Sequence, residues 1–326
     1  MTTNAGGMQR QALVLGASGG IGGEVARQLR DAGWQVRGLK RGLDADVVTR
    51  DGIEWMRGDA MDREAVVRAA RGCSVIVHAV NPPGYRNWPT QVLPMIDNTI
   101  AAATVARATV VLPGTVYNYG ADAFPVLRED APQHPVTRKG AIRVELERRL
   151  QEATAQGVRT IIVRAGDFFG ASARNNWFAQ GLVKPGRPVA AISVPGQPGV
   201  GHQWSYLPDA ARTMVELIER RDTLEPFARF HLGGHWDADG TQMAQAVQRV
   251  AQRHGMRPAV RRFPWWIVWA AAPFVTTLRE MLEMRYLWRE PLRMDNARVT
   301  AVLGREPVTP LDTAVEATLA GLGCLK

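Results

Sequence analysis

The stretch "ALVLGASGGIGGEVARQLRDAG", residues 12–33, decides the fold. An apolar run from Ala12 to Leu15 breaks at Gly16, and glycines return at Gly19 and Gly22 before an amphipathic segment closed by Gly33. That order predicts a buried strand over 12–17, a tight turn, and a helix over 22–33. Gly16 permits the turn, Gly19 lets the backbone approach a pyrophosphate, and Gly22 lets the helix pack on the strand. Ser18, Gly20 and Ile21 complete the turn. The free amides of a helix start, with their partial positive charge, suit an anion. A strand before, a helix after and a second strand following make this a dinucleotide-binding signal rather than a lone glycine motif.

Working outward, "WQVRGLK" (34–40), "IEWMRGD" (53–59), "SVIVHAV" (74–80), "TVVLPG" (109–114) and "RTIIVRAGD" (159–167) read as further strands. Helical patterns at 63–72, 95–107 and 141–157 lie between them. Strands that are apolar throughout and separated by helices predict a parallel sheet covered on both faces. "ARFHLGG" (228–234) is expected to add one strand, and Asp209 to cap a helix over 207–221. The fold class expected is α/β: a Rossmann-type doubly wound parallel sheet with a smaller, mostly helical C-terminal substrate-binding part. Residues 1–10 read as a flexible lead, 11–165 with about 203–235 as the dinucleotide-binding domain, and 166–202 with 236–326 as the substrate-binding part.

The chain has 326 residues, 46% of them hydrophobic, and 40 Lys and Arg against 31 Asp and Glu give a formal charge of +9. The basic residues are scattered, their densest clusters being pairs such as Arg148-Arg149 and Arg261-Arg262. That spread reads as a solvated surface with a few anion contacts, and without a basic-aromatic ribbon nucleic acid is not expected as a partner. Cys73 and Cys324 stand alone, so neither a zinc site nor a disulfide framework is expected, and a reducing cytoplasm is the expected compartment. The six histidines lie apart, and no metal is expected. "FPWWIVWAAAPFV", 263–275, is too short to span a bilayer, which needs about 20 apolar residues. It reads as a buried helix, with a substrate wall, a homodimer face or a shallow membrane contact as alternatives.

The end of the second strand faces the adenosine ribose in such folds, and there an acid selects NAD while basic groups take a 2′-phosphate. Here stand Arg37, Lys40 and Arg41, with no acid before Asp44, so NADP is expected, with NAD as the alternative. Asp59, followed by Ala60, is placed to accept from the adenine amino group.

Through "GASGGIG", "GDAMD", "VIVHAV", "GTVYNYG", the Lys of "TRKG" and "VRAGDFFG", residues 11–235 resemble the short-chain dehydrogenase/reductase superfamily. The resemblance is to its extended or atypical branch, the group of NAD-dependent epimerase/dehydratases and NmrA-like reductases. It implies that His78, Ala79, Val80 and Asn81 run under the riboses, and that Ala165, Gly166 and Phe168 embrace the nicotinamide. Asn98 matches an Asn common on the helix after the fourth strand. Thr115 matches the Ser or Thr that orients the substrate oxygen. In this family a Tyr-x-x-x-Lys pair follows, the Tyr exchanging a proton with the substrate and the Lys lowering its pKa and holding the ribose hydroxyls. Lys139 is matched to that Lys, which puts Pro135 at the Tyr position. Tyr117, Lys139 itself, or a water held by Thr115 then moves the proton.

"NPPGYRNWPTQVLPM" (81–95) reads as a stiff loop over the cleft, so Asn81, Tyr85 and Trp88, with Trp177, are the substrate candidates. The resulting expectation is an NADPH-preferring reductase of a small, fairly apolar carbonyl or enone. A nucleotide-sugar epimerase or dehydratase is the alternative, and a non-catalytic dinucleotide sensor the alternative of another class.

Overall fold

A computed structural model describes residues 10–82, 87–173 and 176–325. Strand β1 (Gln11–Leu15) lies at the centre of an eight-stranded sheet. To one side run β2 (Gln35–Lys40), β4 (Ile53–Arg57) and β3 (Val47–Arg50). To the other run β5 (Val75–His78), β6 (Thr109–Gly114), β8 (Thr160–Arg164) and β12 (Phe227–His231), with β7 (Val126–Leu127) outside this sheet. All pairings are parallel except β3 with β4. The chain moves outward from β1 to β4 and then returns to β5 on β1's other side. The strand order therefore reverses between β1 and β5, and a crevice opens at their carboxyl ends.

The sheet's alternating side chains divide between two cores. Ala12 and Val14 join Val25 and Leu29 of α1 (Gly20–Asp31) and Met214 and Ile218 of α5 (Leu207–Glu219). Leu13 and Leu15 join Val66 of α2 (Arg63–Ala70), Val92 and Ile96 of α3 (Trp88–Ala106) and Leu146 and Leu150 of α4 (Arg138–Glu152). Both faces of every central strand are thus removed from water, which is why these strands carry few polar residues.

Three of the expectations need correction. The span 81–95 is not loop throughout, because α3 starts at Trp88: Pro89 occupies the first turn, where a missing N–H costs nothing, and Pro94 is carried inside the helix. The antiparallel strand β3 was not expected, because its residues are half-exposed or exposed and lack the apolar signature. Asp209 is not an N-cap, since Tyr206 holds that place. Its buried carboxylate instead accepts from Thr309 N at 2.6 Å and Thr309 Oγ1 at 2.8 Å.

A second body follows β8. Strands β9 (Asp167–Phe169), β11 (His202–Tyr206) and β13 (His235–Asp237) form one small sheet, and β10 (Ala191–Val194) pairs with β14 (Ala259–Arg262). Helices α6 (Gln242–Arg253) and α10 (Leu311–Gly321) pack with Phe169, Phe178, Trp204 and Trp288 into its core. Helices α7 (Trp265–Ala271) and α8 (Thr276–Glu283) lie before β15 (Arg293–Met294), which pairs with β7, and α9 (Ala297–Leu303) returns against the main sheet. Among the described residues no helix is long and apolar enough to cross a membrane.

Because Asp209 ties the segment before α10 to α5, Asp209→Ala is expected to lower the unfolding free energy by roughly 1–3 kcal/mol. Urea denaturation measures this, and an unchanged midpoint would show that the clamp contributes nothing.

Candidate functional site

The crevice is built first by crowding. Gly16 has φ of +87°, and a Cβ there would run into the Ala79 carbonyl. A Cβ on Gly22 would strike the Gly16 carbonyl, so strand, turn and helix meet with no room for a methyl group. Helix α1 starts at Gly20, two residues earlier than expected, and Gly19 N donates to Gly16 O at 2.8 Å. Among the described residues no side chain caps α1, and its first turn holds no acid. The N–H groups of Gly20, Ile21 and Gly22 therefore face the crevice with the helix dipole behind them, while Ser18 is exposed beside them. These residues fit the pyrophosphate of a dinucleotide.

The basic residues after β1 separate into two groups. Arg37 is drawn away from the crevice: its Nε donates to Glu54 Oε1 at 2.6 Å and its Nη1 to Arg71 O at 2.6 Å. Lys40, the last residue of β2, is exposed with its ammonium 5.8 Å from the Trp55 ring centre, and Arg41 lies 3.5 Å from Asp59. Asp59 also accepts from Met61 N, and Asn98 Nδ2 donates to Ala60 O at 2.9 Å, which fixes the loop at the adenosine end.

At the end of β5, His78 is fully enclosed, with Nδ1 at 2.8 Å from Thr99 Oγ1. Burial, aided by the nearby Arg143 charge, pushes its pKa down to about 3, so it is a neutral structural histidine. Ala79 N donates to Leu15 O, and Val80 and Asn81 follow at the crevice. Arg143, only 4% exposed, reaches across from α4 and donates from Nη2 to Asn81 Oδ1 at 2.6 Å. Its guanidinium also lies 5.1 Å from the Trp88 ring centre. Trp88 is therefore a buried support for Arg143, not a wall of an open cleft. Tyr85 lies outside the described residues.

Arg143 is the residue that sequence reasoning missed. Pro135 precedes α4 and is not on a helix, so Pro135 and Lys139 do not share a helical face. Lys139 and Arg143 do, one turn apart. Thr137 caps the helix start by accepting from Gly140 N at 2.9 Å. Lys139 is buried, with Nζ 3.0 Å from Glu280 Oε2 and 3.6 Å from Glu283 Oε2, both on α8. The signal was present as the i, i+4, i+8 series Lys139, Arg143, Glu147.

Thr115 follows β6, and its hydroxyl donates to Asn118 Oδ1 at 2.8 Å. Asn118 in turn donates to Glu147 Oε1 at 2.9 Å, and Glu147 Oε2 accepts from Arg164 Nη2 at 2.9 Å. Arg164 also bonds the Thr115 carbonyl. This enclosed chain of bonds holds Thr115 in place and orients its hydroxyl. Tyr117 is half-buried, packed between the β5–β6 core and Met284 and Leu287.

Beyond β8, Ala165 is buried in the main core and Phe168 packs half-buried on it. Trp177 packs against Phe263, Trp265 and Trp288 with ring centres 5.3 to 5.8 Å apart, a place in the aromatic core of the second body. Beside that core opens a cavity of about 370 Å³ lined by Arg262, Arg285, Arg289, Phe263, Trp265 and Trp288 among others. The segment 280–289 connects the two places: its first residues hold Lys139 and its last line the cavity. Among the described residues no group of three or more His, Cys, Asp or Glu is arranged to hold a metal ion.

The pattern of the NAD dependent epimerase/dehydratase family matches residues 12–233. A UDP-glucose 4-epimerase of Azospirillum brasilense is 30% identical over 175 residues, 49% of each chain. A (4-alkanoyl-5-oxo-2,5-dihydrofuran-3-yl)methyl phosphate reductase of Streptomyces griseus subsp. griseus is 42% identical over 71 residues, 22% of this chain and 25% of that protein. The matches thus span about half of the first relative and a quarter of the second. In fold, a UDP-glucose 4-epimerase from Brucella ovis in complex with NAD superposes with a TM-score of 0.70 at 17% identity, covering 97% of this chain and 99% of that one.

His78 and His231 share one titration behaviour. Burial holds His231 well below its ordinary value, as it does His78, so both stay neutral when folded. The unfolded chain takes up these protons below about pH 6.5. Stability present above that pH is therefore expected to fall toward pH 4, by roughly 1 kcal/mol per pH unit from His78 and further in the same direction from His231. Urea denaturation across that range tests this, and a flat profile would contradict it.

Proposed function

The chain belongs to the NAD dependent epimerase/dehydratase family, and from that membership we propose that it is an NADPH-preferring oxidoreductase. Its substrate is a small carbonyl or enone compound that carries an anionic group. The observation that carries the reading is the uncapped amino terminus of α1 joined, through Ala79 and Asn81, to the buried guanidinium of Arg143. Anion-binding amides at one end and a fixed cation at the other suit the pyrophosphate and the nicotinamide ribose of one dinucleotide.

When bound, NAD(P)H supplies the hydride, and the chain's own groups do the rest. In this frame Arg143 takes the ribose-holding place, and Lys139, one turn earlier, stands where the family has its tyrosine. The Lys139 ammonium gives the proton to the substrate oxygen, with Glu280 and Glu283 orienting it. Thr115, held by Asn118, positions the same oxygen. Lys40 at the end of β2 and Arg41 after it, the latter 3.5 Å from Asp59, favour the 2′-phosphate of NADP, whereas Arg37 is committed to Glu54.

The arginine-lined cavity supports an anionic substrate group, and its Phe and Trp surfaces support an apolar neighbour to that group. The name of the Streptomyces relative describes a ring carbonyl compound bearing a phosphate, which is this combination. The same cavity also suits the diphosphate of a nucleotide sugar, and the Azospirillum relative is a UDP-glucose 4-epimerase, so epimerisation is the second reading.

Three measurements separate the readings. NADPH oxidation with phosphorylated enones and ketones is expected to be steady, whereas retained cofactor with no net consumption would favour the epimerase. Saturable NADPH binding with turnover of neither substrate class would leave a sensor. Lys40→Asp is expected to move coenzyme preference toward NADH by about tenfold or more, read as the ratio of dissociation constants. Lys139→Met, combined with Glu280→Gln and Glu283→Gln so that neither carboxylate is stranded, is expected to cut kcat roughly a hundred- to ten-thousand-fold with NADPH binding kept. Tyr117→Phe is expected to change kcat little; the reverse pattern would assign the proton to Tyr117.

A further inference from the structure

Helix α7 does not bury the apolar stretch that the sequence led one to place in a core. Its inward stripe is Trp265, Val268 and Ala272, with Trp265 Nε1 donating to Pro195 O at 2.8 Å. The opposite side and the turn that follows leave Trp266 73%, Trp269 72% and Phe274 89% exposed, with Ile267 and Val275 beside them. A helix on a water-facing surface carries charged and polar residues there, and this one carries none.

The sequence that flanks this patch is cationic. Residues 257–289 hold Arg257, Arg261, Arg262, Arg279, Arg285 and Arg289 against two acids, Glu280 and Glu283. Both acids turn inward to Lys139, so they do not offset the collar. A twofold contact between two copies would bring like arginines together, which disfavours self-association. Indole rings with an arginine collar match the headgroup level of a membrane, where the rings reach the acyl boundary and the guanidinium groups meet lipid phosphate.

We propose that the exposed face of α7 and the 273–275 turn seats this protein on the surface of an anionic bilayer. It lies on the membrane without crossing it, since no described helix is long and apolar enough to span. The proposal does not depend on which reaction the crevice performs: Arg262, Arg285 and Arg289 also line the cavity, and the charge test uses Arg261 and Arg279, which do not.

The test uses the full chain with vesicles of phosphatidylcholine alone and of phosphatidylcholine mixed with phosphatidylglycerol. Wild-type protein is expected to float with the mixed vesicles and to show tryptophan quenching by brominated acyl chains, both diminished by salt. The variant Trp266→Ala/Trp269→Ala/Phe274→Ala is expected to lose binding by roughly tenfold or more, with its melting temperature confirming the fold. Arg261→Glu/Arg279→Glu is expected to weaken binding to the anionic vesicles in the same direction. Absence of flotation, equal binding to neutral vesicles, or triple-variant binding equal to wild type would overturn the proposal. So would a dimer that the triple variant converts to monomer without any vesicle binding, which would assign the face to a second copy.

Discussion

The structure depends on one place where backbone meets backbone without an intervening side chain. Gly16 lies against the Ala79 carbonyl, and Gly22 against the Gly16 carbonyl, so β1, α1 and the end of β5 converge. This closeness points the α1 amino terminus into the crevice where the strand order reverses. Any side chain at these positions would push the helix from the sheet and shift its free amides away from the end of β5.

Across the crevice, α4 presents a row of charged residues through spacing. Lys139, Arg143 and Glu147 lie one turn apart on one face and meet three different partners: the α8 glutamates, Asn81, and Arg164. The Glu147–Arg164 pair is buried, and such a pair is costly to break once formed, because either partner left alone is an enclosed charge. Asn118 and Thr115 extend the same network to the end of β6. The network therefore gives rigidity to the carboxyl end of β6, the property that the proposed role of Thr115 requires.

Much of this was legible in the residues themselves. The apolar runs located the parallel strands because burial on both faces leaves no alternation, and the glycine spacing marked the crevice. Elements that depend on partners were not legible. Strand β3 shows no apolar run because it is an exposed antiparallel edge, and Asp209 resembles a cap until Thr309, distant in sequence, is placed beside it. Pro135 was aligned with the family tyrosine because one sequence does not reveal the length of the loop before α4. In the fold Pro135 lies before α4, whereas Lys139 and Arg143 stand one turn apart on it, the spacing on which the shifted frame is proposed. The run at 263–275 looks like core by composition, and only the fold shows which side of α7 has something to pack against.

The central claim is that α1's free amides and Arg143 hold the pyrophosphate and the nicotinamide ribose of one dinucleotide. A crystal structure of the chain grown with NADP⁺ tests it most directly. The account predicts phosphate oxygens within hydrogen-bond distance of the N–H groups of residues 20–22, and ribose hydroxyls against the Arg143 guanidinium. A dinucleotide bound elsewhere, or one at the glycine turn with its nicotinamide ribose far from Arg143, would contradict it.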